Sequence, residues 1–384
     1  MKKPITRIIL LSVLALLHGC FDDSGAEKPA REEIVSGAGI SVNDTTGREI
    51  SLPGIPEHVI CSGPGCLRLL AYLQALDIVV AVDDMEGRRP AFDARPYALA
   101  NPQLAALPLF GEFRGHDNPE LIASLDPQPQ IIFKTFASMG TDPLELERQT
   151  GIPVVVLEYG DLYDRRDDFY TALRTMAAIV GKQERAEQVI SFFGNSITDL
   201  ETRTADIPEA EKRSCYVGGI AYRGPHGLQS TEPSYPPFLF VNAANVASDP
   251  GGKLADLEHA DVAKEQIVLW DPEVLFIDVS TVQSDPQASA LYELRRDPAY
   301  TGLKAVRNGE VYGVMPYNWY TVNYGSILAD AYFVGKILYP ERFEDIDPQE
   351  MADRIYRFLF GKSVFDPLNE SFQGLVFRKI LDAP

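Results

Sequence analysis

Two loops in this chain pair glycine with arginine directly after a short apolar run. One reads Ser62-Gly63-Pro64-Gly65-Cys66-Leu67-Arg68. The other runs from Gly218-Gly219 through Tyr222-Arg223-Gly224-Pro225-His226-Gly227 to Ser230-Thr231-Glu232-Pro233-Ser234-Tyr235. Glycine lets backbone N–H groups approach a ligand, and a guanidinium offers acidic groups a planar fork of donors. A third segment, Pro316 to Tyr324, sets Tyr317, Trp319, Tyr320 and Tyr324 within eight residues, which in a cleft would form flat apolar walls with polar tips. The candidate ligand contacts are therefore Arg68, Tyr222, Arg223, His226, Glu232, Tyr235, Tyr317, Trp319 and Tyr320. The competing reading makes the glycines plain turns, the arginines partners of nearby carboxylates, and the aromatics a core plug. Either way the chemistry is non-covalent. The sequence has no Gly-x-x-x-x-Gly-Lys, no Gly-x-Gly-x-x-Gly after a strand, no His-Glu-x-x-His and no Gly-x-Ser-x-Gly. The expectation is a binding protein with no enzyme activity and no cofactor.

The elements that must position these loops follow an α/β pattern. Strands are expected at 58–61, 78–82, 131–133 and 154–157, with helices at 67–76 and from Pro119, after an opening hairpin over 39–52. From Phe169 to Glu201, Leu173, Met176, Ala177, Val180, Ala186, Val189, Ile190, Phe193, Ile197 and Leu200 keep helical spacing, with Gly181 as the point where the stretch could break. Beyond Pro208 the α/β pattern resumes, with strands at 214–217, 274–277 and 311–314 and helices at 325–338 and 348–360. The fold expected is two Rossmann-like α/β lobes, 39–161 and 208–384, joined by a single long rigid helix within 162–207, with the ligand cleft between them.

A repeat supports the two-lobe reading. Glu120-Leu121-Ile122-Ala123-Ser124-Leu125-Asp126-Pro127 and Glu265-Gln266-Ile267-Val268-Leu269-Trp270-Asp271-Pro272 share Glu-x-Ile-x-x-x-Asp-Pro, each followed by a buried-strand pattern. A glutamate in a first helical turn is favoured by the macrodipole alone. That does not account for the surrounding repeat, so Glu120 and Glu265 are candidate docking residues for a two-subunit partner.

Residues 1–19 read as a leader: Lys2, Lys3 and Arg7 precede a ten-residue apolar core, Ile8 to Leu17, too short to span a bilayer. Leu17-His18-Gly19-Cys20 resembles a lipobox, implying cleavage before Cys20 and lipidation of its thiol; 20–38 would be a polar tether. The chain would then be held on the extracytoplasmic side, in the periplasm or on the outer cell surface, by a lipid anchor only. The formal charge of −20 argues against nucleic acid and against broad contact with anionic lipid. Cys61, Cys66 and Cys215 are an odd set, not a disulfide framework, although Cys61 and Cys66 lie close enough in sequence to pair.

The lipobox, the Asp44-Thr45-Thr46-Gly47-Arg48 hairpin, the paired Glu-x-Ile-x-x-x-Asp-Pro segments and the long mid-chain helix resemble the substrate-binding lipoproteins of ABC importers. The resemblance is to the class that carries ferric siderophores, haem and cobalamin, and covers about 40–360. Arg95-Pro96-Tyr97, Ser230-Thr231-Glu232-Pro233 and Pro316-Tyr317-Asn318 resemble its iron-transport branch. It implies a monomer that captures a ferric chelate and docks through Glu120 and Glu265 on an ABC permease dimer with its ATPase subunits. Haem, cobalamin, or a bare metal ion or oxyanion held by Tyr, Glu and His226 are the alternative ligands.

Overall fold

The computed structural model describes residues 39–382 apart from 88–92, 225, 249–256, 284–286 and 288. The expected leader, tether and Cys20 lie outside the described residues. In the first lobe, Val59–Ser62, Ile131–Thr135 and Val154–Leu157 form a parallel sheet with Ile131–Thr135 in the middle. Every residue of these strands is buried, the signature of a parallel sheet covered on both faces. The opening hairpin, Ile40–Asn43 and Glu49–Leu52, docks on this sheet's edge through Thr45 N to Val156 O at 3.1 Å. The second lobe carries five strands in the order Ala244–Asn245, Ser214–Gly218, Val274–Asp278, Val311–Val314, Lys379–Leu381, parallel except for the last.

Two expectations change. The 78–82 run is not one strand. Val79 N closes a 3-10 turn on Leu76 O (3.2 Å), Val79 makes a single bridge to Val59, and Val82 leaves for Leu109 in a second small sheet. The run is split between two sheets. Nor is the mid-chain stretch one helix: Arg166–Val180 and Gln183–Thr204 are separate. Gly181 sits at φ +70 and ends the first helix, and a Cβ there would meet Ile55 Cδ1 at 2.8 Å. The apolar spacing runs on through the break because both helices bury a face in the same core, so periodicity alone does not reveal it.

The helix Gln183–Thr204, about 33 Å long at 1.5 Å per residue, makes the connection between the lobes. Arg185 donates to the carbonyls of Tyr72 and Phe358 near its start, and Arg203 holds Asp345 at 2.6 Å near its end. A second connection comes from the C-terminal helix Pro348–Phe360. It packs along Tyr324–Leu338 and also reaches the first lobe, with Phe360 at 5.5 Å from Tyr72, and the connecting helix, with Phe358 stacked 4.1 Å from Phe192. One continuous apolar cluster therefore includes residues of both lobes.

Candidate functional site

The loops at the carboxyl ends of the parallel strands are where ligands bind in open α/β sheets. Here they are Ser62 to Gly65, the turn at Phe136 and the Tyr159 loop in the first lobe, and the loops after Gly218, Asp278 and Val314 in the second. The Pro316–Asn323 strip crosses from the second lobe onto the first. Arg68 secures it: the guanidinium donates to Val322 O at 2.5 Å, Tyr320 O at 3.1 Å and Tyr159 Oη at 2.7 Å. Tyr159 Oη donates in turn to Val322 O at 2.6 Å. Gly65, at φ +77, lets the strip approach, since a Cβ there would run into Tyr159 and Thr321. Arg68 is fully buried. Expected as a ligand contact, it is placed as a clamp between the lobes.

The strip carries the aromatics to different depths. Tyr317 is buried and donates to Glu232; Tyr235 lies beside it, fully buried against Phe238. Burial pushes the Glu232 carboxyl up to about 8, while the Tyr317 hydroxyl pulls the other way. These three candidates sit beneath the cleft surface. Trp319 and Tyr320 are half-buried. Tyr320 donates to Asp83, whose carboxyl burial raises to about 7 against that same hydrogen bond. Tyr222 is 45 % exposed and stacks on His259 at 4.2 Å; His226 Nε2 lies 2.6 Å from Tyr222 O. Arg223 is exposed, at φ +59, with its guanidinium 5.3 Å from the Tyr222 ring centre.

The sequence reading missed Arg114. Its φ is +62 and its guanidinium lies 5.2 Å over the ring of Phe113, the same arrangement as Arg223 on Tyr222. The signal was available as a repeat: Phe113-Arg114-Gly115-His116 against Tyr222-Arg223-Gly224-Pro225-His226. The match to Arg223 is therefore Arg114, not Arg68. Each turn is held from below. Gly115 O accepts from Lys134 Nζ (3.1 Å) and Thr141 N (2.8 Å), and Lys134 is fully buried with Asp117 at 2.6 Å. In the other lobe Tyr222 N donates to Gly224 O at 2.9 Å, and Thr281 Oγ1 to His226 O at 2.9 Å.

Glu120 and Glu265 are both exposed in the first turns of Pro119–Ser124 and Lys264–Trp270, while Ile122 and Ile267 of the repeat point into their cores. Each helix runs back toward the start of the next strand, so its first turn lies at the carboxyl ends of the strands, the cleft end of its lobe. Arg95 is buried between Glu86 and Asp93, each at 2.8 Å, and Tyr97 donates to Glu86. Cys61, Cys66 and Cys215 are free, buried thiols. Among the described residues no three His, Cys, Asp or Glu side chains come together as a metal centre, and no helix is long and apolar enough to cross a membrane.

Comparison with known proteins agrees with this architecture. The sequence profile described as periplasmic binding protein matches residues 59–317, and the chain belongs to that family. The Fe(3+)-citrate-binding protein YfmC of Bacillus subtilis is 26% identical over 207 residues, 54% of this chain; the match spans 59% of that relative's length. A periplasmic solute binding protein from Veillonella parvula shares the fold at TM-score 0.65 and 18% identity, covering 87% of this chain and 97% of the other. The TroA-like periplasmic binding protein FepB of Veillonella parvula does so at TM-score 0.64 and 19% identity, over 85% and 97%.

Proposed function

Starting from membership of the periplasmic binding protein family, we propose that this chain captures a ferric chelate outside the cytoplasmic membrane and hands it to an ABC permease, catalysing nothing itself. The observation that carries the reading is the Pro316–Asn323 strip. It is an aromatic surface laid across the junction of the lobes, clamped by Arg68 and Tyr159, with Trp319 and Tyr320 half-buried along it. Such a surface suits the organic shell of a metal chelate better than a bare ion. The relative named for Fe(3+)-citrate is consistent with iron as the cargo. Glu120 and Glu265, one per lobe at the cleft end, are the docking residues for two permease subunits. Two connections between the lobes limit their relative motion, so loading alters the glutamate spacing only slightly.

Trp319 provides the test. The protein is titrated with ferric citrate, a ferric trihydroxamate, haem and cobalamin while tryptophan fluorescence is followed. Saturable quenching by one of the ferric chelates, lost in Trp319→Phe, is the expected result. Quenching by haem or cobalamin alone would replace the ferric chelate with a tetrapyrrole, and silence toward all four would remove the chelate reading.

A further inference from the structure

The two aromatic–Arg–Gly turns are brought to opposite ends of one short stretch of the strip. Tyr320 Oη accepts from Arg114 N at 3.4 Å, and the Phe113 and Tyr320 rings are 6.4 Å apart. Two residues earlier, Asn318 Nδ2 donates to Ala221 O, next to Tyr222. Adjacent Cα atoms are 3.8 Å apart, so the Cα atoms of residues 318 and 320 are at most about 7.6 Å apart. The turns therefore flank Trp319, one from each lobe. The left-handed region is uncommon for any residue other than glycine, yet both arginines occupy it, at φ +62 and +59. In both turns this backbone sets the guanidinium over the preceding ring, at 5.2 and 5.3 Å. The ring backs the planar cation and leaves its N–H edges for a second partner. Among the described residues neither guanidinium has a carboxylate partner, in a chain with 55 acidic residues against 35 lysines and arginines.

We propose that Arg114 and Arg223 are a matched pair of ligand-binding residues, and that the chelate they select is anionic, with acidic groups at opposite ends, as in a ferric polycarboxylate. The inference rests on the chelate-capture reading and narrows it. A neutral trihydroxamate or a corrinoid would leave both forks desolvated and unpaired, which costs binding. A polycarboxylate shell meets each fork with a charge-assisted pair of hydrogen bonds while its metal-bound centre lies over Trp319. In a protein of net charge −20, two local cations offset the global field at the place an anion would occupy.

The test compares ferric citrate with a neutral ferric trihydroxamate by calorimetry on the wild-type protein, Arg114→Gln, Arg223→Gln and the double variant. Both side chains are exposed, and unchanged thermal melts confirm folding. The expected result is binding of ferric citrate in preference to the trihydroxamate, weakened by roughly 10- to 100-fold in each single variant and further in the double, from the usual worth of a charged hydrogen-bonded pair. Added salt should weaken it in the wild type and much less in the double variant. Arg114→Lys, keeping the charge but losing the fork, should fall between. Preference for the trihydroxamate, or equal citrate affinity in the double variant, overturns this inference and leaves chelate capture standing. Binding of neither chelate removes both.

Discussion

Glu232 gives the structure a measurable pH dependence. Its side chain is buried beside Tyr317, and burial raises its carboxyl from 4.5 to about 8, with Asp278 adding repulsion and the Tyr317 hydroxyl partly opposing. The folded protein therefore holds a proton that the unfolded chain has released above pH 4.5. Stability from this group is fully present below 4.5 and is lost as pH rises through about 8. A difference of about 3.5 units, at about 1.36 kcal/mol each, amounts to roughly 5 kcal/mol across that window, with a slope of up to ~1.4 kcal/mol per pH unit. Glu232→Gln retains an acceptor for Tyr317 and removes the proton. Urea unfolding of both proteins at pH 5, 6, 7 and 8 should give curves that start close together and separate by several kcal/mol, the wild type being the less stable at pH 8. Asp278, raised to about 6 by burial, leaves some slope in both proteins, so the difference between them is the readout. Parallel curves would refute the assignment of a buried neutral carboxyl to Glu232.

Replacing Arg68 with methionine takes a donor from Tyr159 Oη, Tyr320 O and Val322 O in the buried junction, leaving Val322 O only Tyr159, and should cost about 3 kcal/mol by chemical unfolding, with faster amide exchange over 317–323. Reversing both docking glutamates, Glu120→Arg with Glu265→Arg, should abolish ferric-chelate uptake in cells while the affinity of the purified protein stays within about twofold; normal uptake would withdraw the docking assignment.

The features legible in the sequence are those written locally. The Glu-x-Ile repeat encodes an outward carboxylate and an inward isoleucine two residues on, and the structure has both in both lobes. The strands at Val59, Ile131, Val154 and Val274 declare themselves as mainly apolar runs without alternation. Arg68 was misleading because its partners, the carbonyls at 320 and 322, lie more than 250 positions along the chain. Nothing near Arg68 distinguishes a residue facing a ligand from one facing another lobe. Tyr235, Tyr317 and Glu232 share that limitation, since they are buried against one another and Phe238 across up to 85 positions of the second lobe, a depth the local sequence does not show. Arg114 was missed for another reason. Its turn joins Leu109–Glu112 to His116–Asp117, strands too short to show a period, and only comparison with the Tyr222 turn brings it out.

The helix Pro348–Phe360 belongs to the last tenth of the chain, yet Phe360 rests on Tyr72, 288 positions earlier (360 minus 72), and Phe358 covers Phe192. The first lobe and the connecting helix are thus each packed against residues that leave the ribosome almost last. Contacts of such sequence separation form slowly, after local turns and helices. A nascent chain of this layout can pair the parallel sheet of residues 59–157 early, but it cannot complete the packing around Tyr72 until residues 348–360 have been made.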